Sequence, residues 1–143
     1  MSITTTTHLN FRGQASEALH FYAQVFGGQV MAFTFAQAGD EQDTADGAVA
    51  EQIKWGGVSA PGGFSVMAFD VPPGRSYHPG TAAFYVSVRG TDTEEITGYW
   101  HALTVGGTVR ADLAPAGYAP LYGMVTDRYG VTWVLDVVPP YSG

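Results

Sequence analysis

Cysteine is absent from the 143-residue chain, which excludes disulfide scaffolds, thiolate nucleophiles and Cys-ligated zinc together. Charge is scarce too. Asp, Glu, Lys and Arg make up 13% of the residues, where about 25% is usual. What charge there is leans acidic, with 13 Asp and Glu against 6 Lys and Arg and a formal net charge of −7. Lys54 is the one lysine, and Arg12, Arg75, Arg89, Arg110 and Arg128 are scattered. Nucleic-acid binding relies on clustered Lys and Arg to neutralise phosphates, so a nucleic-acid partner is excluded. An anionic membrane surface is disfavoured for the same reason. No apolar run approaches the ~18 residues of a membrane span. The opening Met-Ser-Ile-Thr-Thr-Thr-Thr has neither a basic nor an apolar signal segment. The expectation is a soluble cytoplasmic protein.

What the chain has in excess is glycine, 19 residues beside 8 prolines, with an ordinary 45% of apolar residues. That composition predicts one compact domain rich in strands and turns.

The most informative feature is an internal repeat. Leu9-Asn10-Phe11-Arg12-Gly13, followed by Glu17, Leu19 and Tyr22, recurs as Val86-Ser87-Val88-Arg89-Gly90, Glu94, Ile96 and Tyr99. Gly27-Gly28-Gln29-Val30 recurs as Gly106-Gly107-Thr108-Val109. Met67-Ala68-Phe69-Asp70 before Pro72-Pro73 matches Trp133-Val134-Leu135-Asp136 before Pro139-Pro140. Two copies at so long a period indicate a duplicated supersecondary unit, not a solenoid.

Each copy reads as strand, helix and three strands. Residues 4–12 and 82–89 alternate apolar and polar, the signal of half-buried strands. Helices are predicted over 14–26 and 92–105, the second opening on a capping box, Thr91-Asp92-Thr93-Glu94. Leu19, Tyr22 and Phe26 share one helical face, as do Ile96, Tyr99, Trp100 and Leu103. Gly27 and Gly106 stand where a helix ends in a left-handed residue. Later strands are predicted near 29–36, 48–55, 63–70, 108–113, 120–127 and 131–137, with Asp127-Arg128-Tyr129-Gly130 as a hairpin turn. The first module covers about 1–72 and the second about 80–143, joined by a linker over 71–81 within one domain.

Alternation sorts strand residues onto two faces. Leu9 and Phe11 oppose His8, Asn10 and Arg12; Val86 and Val88 oppose Tyr85, Ser87 and Arg89. Following the repeat, Met67 and Phe69 take the helix side together with Trp133 and Leu135. That leaves Val66 and Ala68, and Thr132, Val134 and Asp136, on the far side. Such a face is either a ligand surface or a plain solvent-facing sheet.

His8-Leu9-Asn10-Phe11-Arg12-Gly13, Ser16-Glu17-Ala18-Leu19-His20-Phe21-Tyr22 and Val25-Phe26-Gly27-Gly28 resemble the opening of PhnB-like proteins of the vicinal-oxygen-chelate (glyoxalase/bleomycin-resistance/dioxygenase) superfamily. Tyr122-Gly123-Met124-Val125-Thr126-Asp127-Arg128-Tyr129-Gly130-Val131-Thr132-Trp133 agrees. The resemblance implies an α+β fold of two tandem βαβββ modules. Their mixed sheets would curve around a cleft with the helices outside, in a homodimer. Metal-dependent members carry His or Glu ligands on the first and last strands of each module. Carried over, those positions fall on His8, Tyr85, Val134 and Ala68. One histidine does not make the three ligands that a catalytic divalent metal needs. Asp136 shares a face with Val134 and is the one candidate substitute.

Other residues carry less. His20 and His101 fall on helices, His78 lies in the linker, and Tyr118 and Tyr122 flank a loop that either rims the cleft or packs on its own hairpin. The acidic run from Asp40 to Gly47 lacks the spacing of a calcium loop and reads as a solvated connection. Gly56-Gly57 and Gly62-Gly63 flank a hairpin loop without a phosphate-binding Gly-Lys-Ser/Thr. Gly57-Val58-Ser59-Ala60-Pro61 lacks the closing glycine of a nucleophile elbow. The family is sometimes labelled a demethylubiquinone methyltransferase, but no glycine-rich strand-to-helix loop is present to seat an adenosyl cofactor.

The expectation is therefore a small-molecule-binding protein without a complete metal site or a cofactor. Its ligand would contact His8, Asn10, Ala68, Tyr85, Ser87, Tyr122 and Val134. The alternative is a metal-dependent isomerase, lyase or dioxygenase with His8 as a ligand and the metal as Lewis acid.

Overall fold

Both halves of the chain fold as strand, helix and three strands, and the computed structural model describes residues 3–39, 47–80 and 82–139. The first unit, Met1–Thr81, holds β1 (Thr7–Phe11), α1 (Ala15–Phe26), β2 (Gln29–Thr34), a helical turn α2 (Gly47–Ala50), β3 (Ile53–Ser59) and β4 (Ser65–Asp70). The second, Ala82–Gly143, holds β5 (Val86–Gly90), α3 (Thr93–Thr104), β6 (Thr108–Ala116), β7 (Ala119–Thr126) and β8 (Thr132–Val137). Their sheets run β1-β4-β3-β2 and β5-β8-β7-β6. In each, the first strand pairs parallel with the last and the remaining pairs are antiparallel. The fold is the α+β arrangement of two βαβββ modules. No helix among the described residues is long and apolar enough to cross a membrane.

Each core lies between a helix and one face of its sheet. α1 buries Ala15, Ala18, Leu19, Tyr22, Val25 and Phe26, and α3 buries Ile96, Trp100 and Leu103. A side chain of that size contributes about 1.5–3 kcal/mol when fully buried, so these stripes, not helix propensity, hold the helices in place. Two glycines permit the close approach. A Cβ on Gly56 would stand 2.6 Å from Leu19 Cδ1, and one on Gly123 would stand 2.8 Å from the Trp100 ring.

The two helices begin differently. Asp92 caps α3 by accepting from the Glu94 and Glu95 amides, so the cap is Asp92 and not the Thr91 of the expected capping box. Gln14 gives α1 no side-chain cap. Buried Asp70, at the end of β4, serves instead: Oδ1 accepts from Gly13 N at 2.6 Å and Ala15 N at 3.1 Å, and Oδ2 from Ile53 N at 2.9 Å. α1 ends as expected on left-handed Gly27 (φ 72°), whereas α3 ends on extended Val105 (φ −64°), with left-handed Gly106 (φ 75°) one residue beyond.

Several boundaries differ from the sequence expectation. Residues 47–50 form a helical turn, and the strand predicted over 48–55 is displaced to Ile53–Ser59. A short apolar run does not by itself distinguish a strand from a helical turn. Gly56 and Gly57 therefore sit inside β3, while Gly63 (φ 105°) turns the β3–β4 hairpin. β5 starts at Val86, so Tyr85 precedes the strand. Asp127–Gly130 is a turn, as expected; Asp127 accepts from Tyr129 N, Val131 N and Trp133 Nε1. The acidic run 40–46 lies outside the described residues.

The start of the linker is tied to its own module. Arg12 donates to the carbonyls of Val71, Pro72 and Arg75 and stacks over the Tyr77 ring at 5.3 Å. The Tyr77 hydroxyl donates to Asn10 O at 3.4 Å.

Candidate functional site: the uncovered sheet faces

Strand register decides which side chains reach the face that the helix leaves uncovered. In the first sheet Leu9 pairs with Ala68, and Ala68 with Gly56, on the side under Leu19 of α1. In the second, Val88 pairs with Leu135, and Leu135 with Gly123, under Trp100 of α3. Ala68 thus corresponds to Leu135, one residue off the match between Met67-Ala68-Phe69-Asp70 and Trp133-Val134-Leu135-Asp136. A one-residue slip exchanges the faces of a strand. Val66, Ala68 and Asp70 are buried on the helix side, and Met67 and Phe69 lie on the uncovered side. Ala68, expected as a ligand contact, is fully buried under α1. In the second sheet the expected faces hold, with Trp133, Leu135 and Val137 buried.

The same register moves the partner of His8. His8 pairs with Met67, and Ser87 pairs with Val134, so Ser87, not Tyr85, occupies the position equivalent to His8. Tyr85 is 42% exposed just ahead of β5.

Three rungs cross the uncovered face of the first sheet. One joins Gln29, Ser59 and Ser65; the next joins Met31, Gly57, Met67 and His8. On the third, Phe33 pairs with Trp55 and Asn10 with Phe69. None of these rung residues is Asp, Glu, Lys or Arg; a bulge opposite Phe33 places Lys54 next to Trp55, with its Nζ over the Phe35 ring at 5.5 Å. Met31, Phe33 and Trp55 are 63%, 48% and 41% exposed. Phe33 and Trp55 stand 5.8 Å apart in a tilted pair. His8 meets the Phe69 ring edge-on at 5.1 Å, and its Nδ1 lies 3.0 Å from Asn10 Oδ1. That carboxamide oxygen only accepts, so Nδ1 carries the proton and a neutral His8 presents Nε2 as an acceptor. Sequence reasoning found His8 and Asn10. It missed Met31, Phe33, Trp55, Met67 and Phe69, although the alternation of Met31, Phe33 and Phe35 in the sequence marks an apolar stripe.

The uncovered face of the second sheet is more polar. Arg89 and Tyr122 flank Asp136 on one rung, Ser87 and Met124 flank Val134 on the next, and Thr126 pairs with Thr132. Ser87, Val134 and Tyr122 are thus brought together. Arg89 grips Asp136 with Nε at 3.1 and 3.2 Å and Nη2 at 3.1 Å. The hydrogen bond first, and the charge attraction second, raise the Arg89 guanidinium above its ordinary pKa. Thr126 and Thr132 share a 2.7 Å hydroxyl contact, and Arg110 Nε donates to Thr126. Tyr122 lies within β7 and packs edge-on against Tyr118 at 5.7 Å. Of the other histidines, His20 bonds back to Ser16 O at 2.8 Å, and His78 and His101 are exposed.

These residues do not fit a catalytic metal. Methionine stands beside His8, valine beside Ser87, and Asp136 is engaged by Arg89. Among the described residues no group of three His, Cys, Asp or Glu is placed to hold an ion.

Comparison with known proteins agrees with this architecture. The family model described as 3-demethylubiquinone-9 3-methyltransferase matches residues 3–136. The crystal structure of protein PA1353 from Pseudomonas aeruginosa is 30% identical, covering 96% of this chain and 98% of that one, with a TM-score of 0.81. A Bacillus cereus structure described as a putative 3-demethylubiquinone-9 3-methyltransferase, PhnB protein, is 23% identical over 95% of this chain and all of that one, TM-score 0.73. A glyoxalase/bleomycin resistance protein/dioxygenase family enzyme from Burkholderia phytofirmans shares the fold at 14% identity, covering 96% of that chain and 93% of this one, with a TM-score of 0.62.

Proposed function

Since the chain belongs to the 3-demethylubiquinone-9 3-methyltransferase family, whose PhnB-like members share the vicinal-oxygen-chelate fold, we propose that it binds an organic small molecule on its uncovered sheet faces, without a catalytic metal. One observation carries the reading: Met31, Phe33 and Trp55 are exposed on a face whose paired rung residues include no Asp, Glu, Lys or Arg, in a protein of net charge −7. Apolar walls with a few placed polar groups suit a compact organic ligand. His8 and Asn10 supply polar groups on that face of the first sheet; Ser87, Tyr122 and Val134 are the candidate contacts on the face of the second sheet, taken by itself.

Sequestration of a ligand requires no catalytic residue. The proposal does not extend to the methyl transfer in the family's description. The Gly13 and Ala15 amides at the start of α1 are committed to Asp70, and the Glu94 and Glu95 amides of α3 to Asp92. These strand-to-helix amides are already engaged and do not form an open anion site. A homodimer belongs to the same proposal, and light scattering at micromolar concentration tests it.

Thermal-shift screening of a metabolite panel, with metal analysis of the untagged protein, tests the reading. Ligands whose stabilisation is lost in Trp55→Ala or Tyr122→Ala support it. Near-stoichiometric zinc, iron, manganese or nickel that His8→Ala removes would overturn it in favour of a metal-dependent enzyme.

A further inference from the structure

Gly56 and Gly57 are adjacent in β3, and only Gly56 is required by the core. Its missing Cβ makes room for Leu19. Gly57 faces the other way, where a Cβ would meet Val66 O at 3.3 Å and Met67 Cγ at 3.8 Å. The first is a backbone oxygen of the neighbouring strand and the second a side chain of the uncovered side. Glycine inside a strand costs stability and commonly marks a close approach by a ligand or another backbone. The omitted side chain leaves a notch in the uncovered face. Its walls follow from the register: Met31 and Met67 across the strands, and Trp55 and Ser59 two residues away along β3. Ser59 pairs in turn with Ser65, so two hydroxyls stand at the end opposite the indole.

We propose that this notch seats a flat, uncharged aromatic ring on the Gly57 backbone, with a hydrogen-bonding substituent directed at Ser59 and Ser65. This rests on the small-molecule reading above and names the ligand class. Thioethers and an indole edge contact aromatic rings favourably. The rung residues around Gly57 include no Asp, Glu, Lys or Arg to pair with a charged ligand, and Lys54, at the bulge beyond Trp55, is drawn over the Phe35 ring at 5.5 Å. Two residues of strand span about 6.8 Å, the distance from the centre of a bicyclic ring to a hydroxyl accepting or donating one hydrogen bond beyond its rim.

The test is equilibrium dialysis of the full chain with four probes: 2-naphthol, naphthalene, 2-naphthalenesulfonate and 2-naphthylmethylammonium. The expected result is tightest binding of 2-naphthol. Its preference over naphthalene is about five-fold, the worth of one hydrogen bond, and Ser59→Ala abolishes it. Gly57→Val fills the notch and weakens 2-naphthol binding about ten-fold or more. Met31→Ala, at an exposed position, weakens it without altering the fold and serves if Gly57→Val is unstable. Unchanged affinity in Gly57→Val and Met31→Ala overturns the notch, as does tighter binding of either charged probe. If those results come with panel ligands that depend on Tyr122, the small-molecule reading stands and the ring site alone falls. A change of molar mass in Gly57→Val, with no probe bound by either protein, assigns the face to a second copy and overturns the proposal.

Discussion

Asp70 caps α1 from a distance of 55 residues, its Oδ1 accepting the Ala15 amide at 3.1 Å. The same carboxylate holds Gly13 N and, through Oδ2, Ile53 N, so one buried side chain joins the ends of β1 and β4 to the start of β3. Removing a buried acceptor strands three amide donors. Asp70→Ala is therefore expected to destabilise the fold by on the order of 3 kcal/mol, read from urea denaturation. Asp70→Asn keeps one oxygen and falls between it and wild type. Asp136→Ala, whose partner Arg89 is largely exposed, costs much less. Equal losses at the two aspartates would contradict the capping role.

Gly56→Ala drives a methyl against Leu19 Cδ1 at 2.6 Å. Overpacking of this kind costs about 1–3 kcal/mol. Gly56→Ala paired with Leu19→Ala should recover part of the loss, because the clash is removed while a cavity is opened. A double-mutant cycle showing simple additivity would mean that the two positions do not touch.

Arg12 holds the carbonyl of Arg75, a bond that trypsin would attack. Arg12→Gln should speed cleavage after Arg75 about ten-fold, the effect of roughly 1.4 kcal/mol of lost hydrogen bonding. The cleavage is followed by mass spectrometry, with a melting curve to show that the variant is folded. A rate unchanged from wild type would remove Arg12 as the clasp of the linker.

Tyr99 titrates above its ordinary value, chiefly because burial penalises the phenolate, with Glu95 adding charge repulsion and a hydrogen bond. The folded state therefore holds the phenolic proton more tightly than the unfolded chain. Its stabilising contribution is complete below about pH 10, the ordinary tyrosine pKa, and is lost as pH rises through the higher folded value. Denaturation midpoints should fall between pH 9.5 and 11, about the range where the unfolded phenol ionises. Tyr99→Phe should flatten that fall, and an unchanged slope would remove Tyr99 as its source.

The duplication, the two helices and most strands were legible in the sequence because each is a local pattern. Alternation marks a strand, a 3.6-residue stripe marks a helix, and Gly27 and Gly106 mark the helix ends. The last-strand faces were legible in the second half but not in the first. Asp70 and Asp136 each precede a proline pair, and aligning them is the natural reading. Yet Asp70 is buried under α1, and Asp136 lies on the uncovered face in the grip of Arg89. Nothing within either strand reveals this, since Met67, Ala68 and Phe69 are all apolar and both alternations are chemically acceptable.

The sequence by itself determined the α+β class, the two βαβββ modules and the exclusion of thiol chemistry. Those properties depend on residue type and on spacing along the chain. Only the tertiary structure decided that Ser87 is the counterpart of His8, that Ala68 is core, and that Gly57 stands in an apolar uncovered face. Each of these follows from which residues lie opposite one another across strands. That register is settled by the packing of Leu19 on Gly56 and Trp100 on Gly123, contacts between segments far apart in the chain.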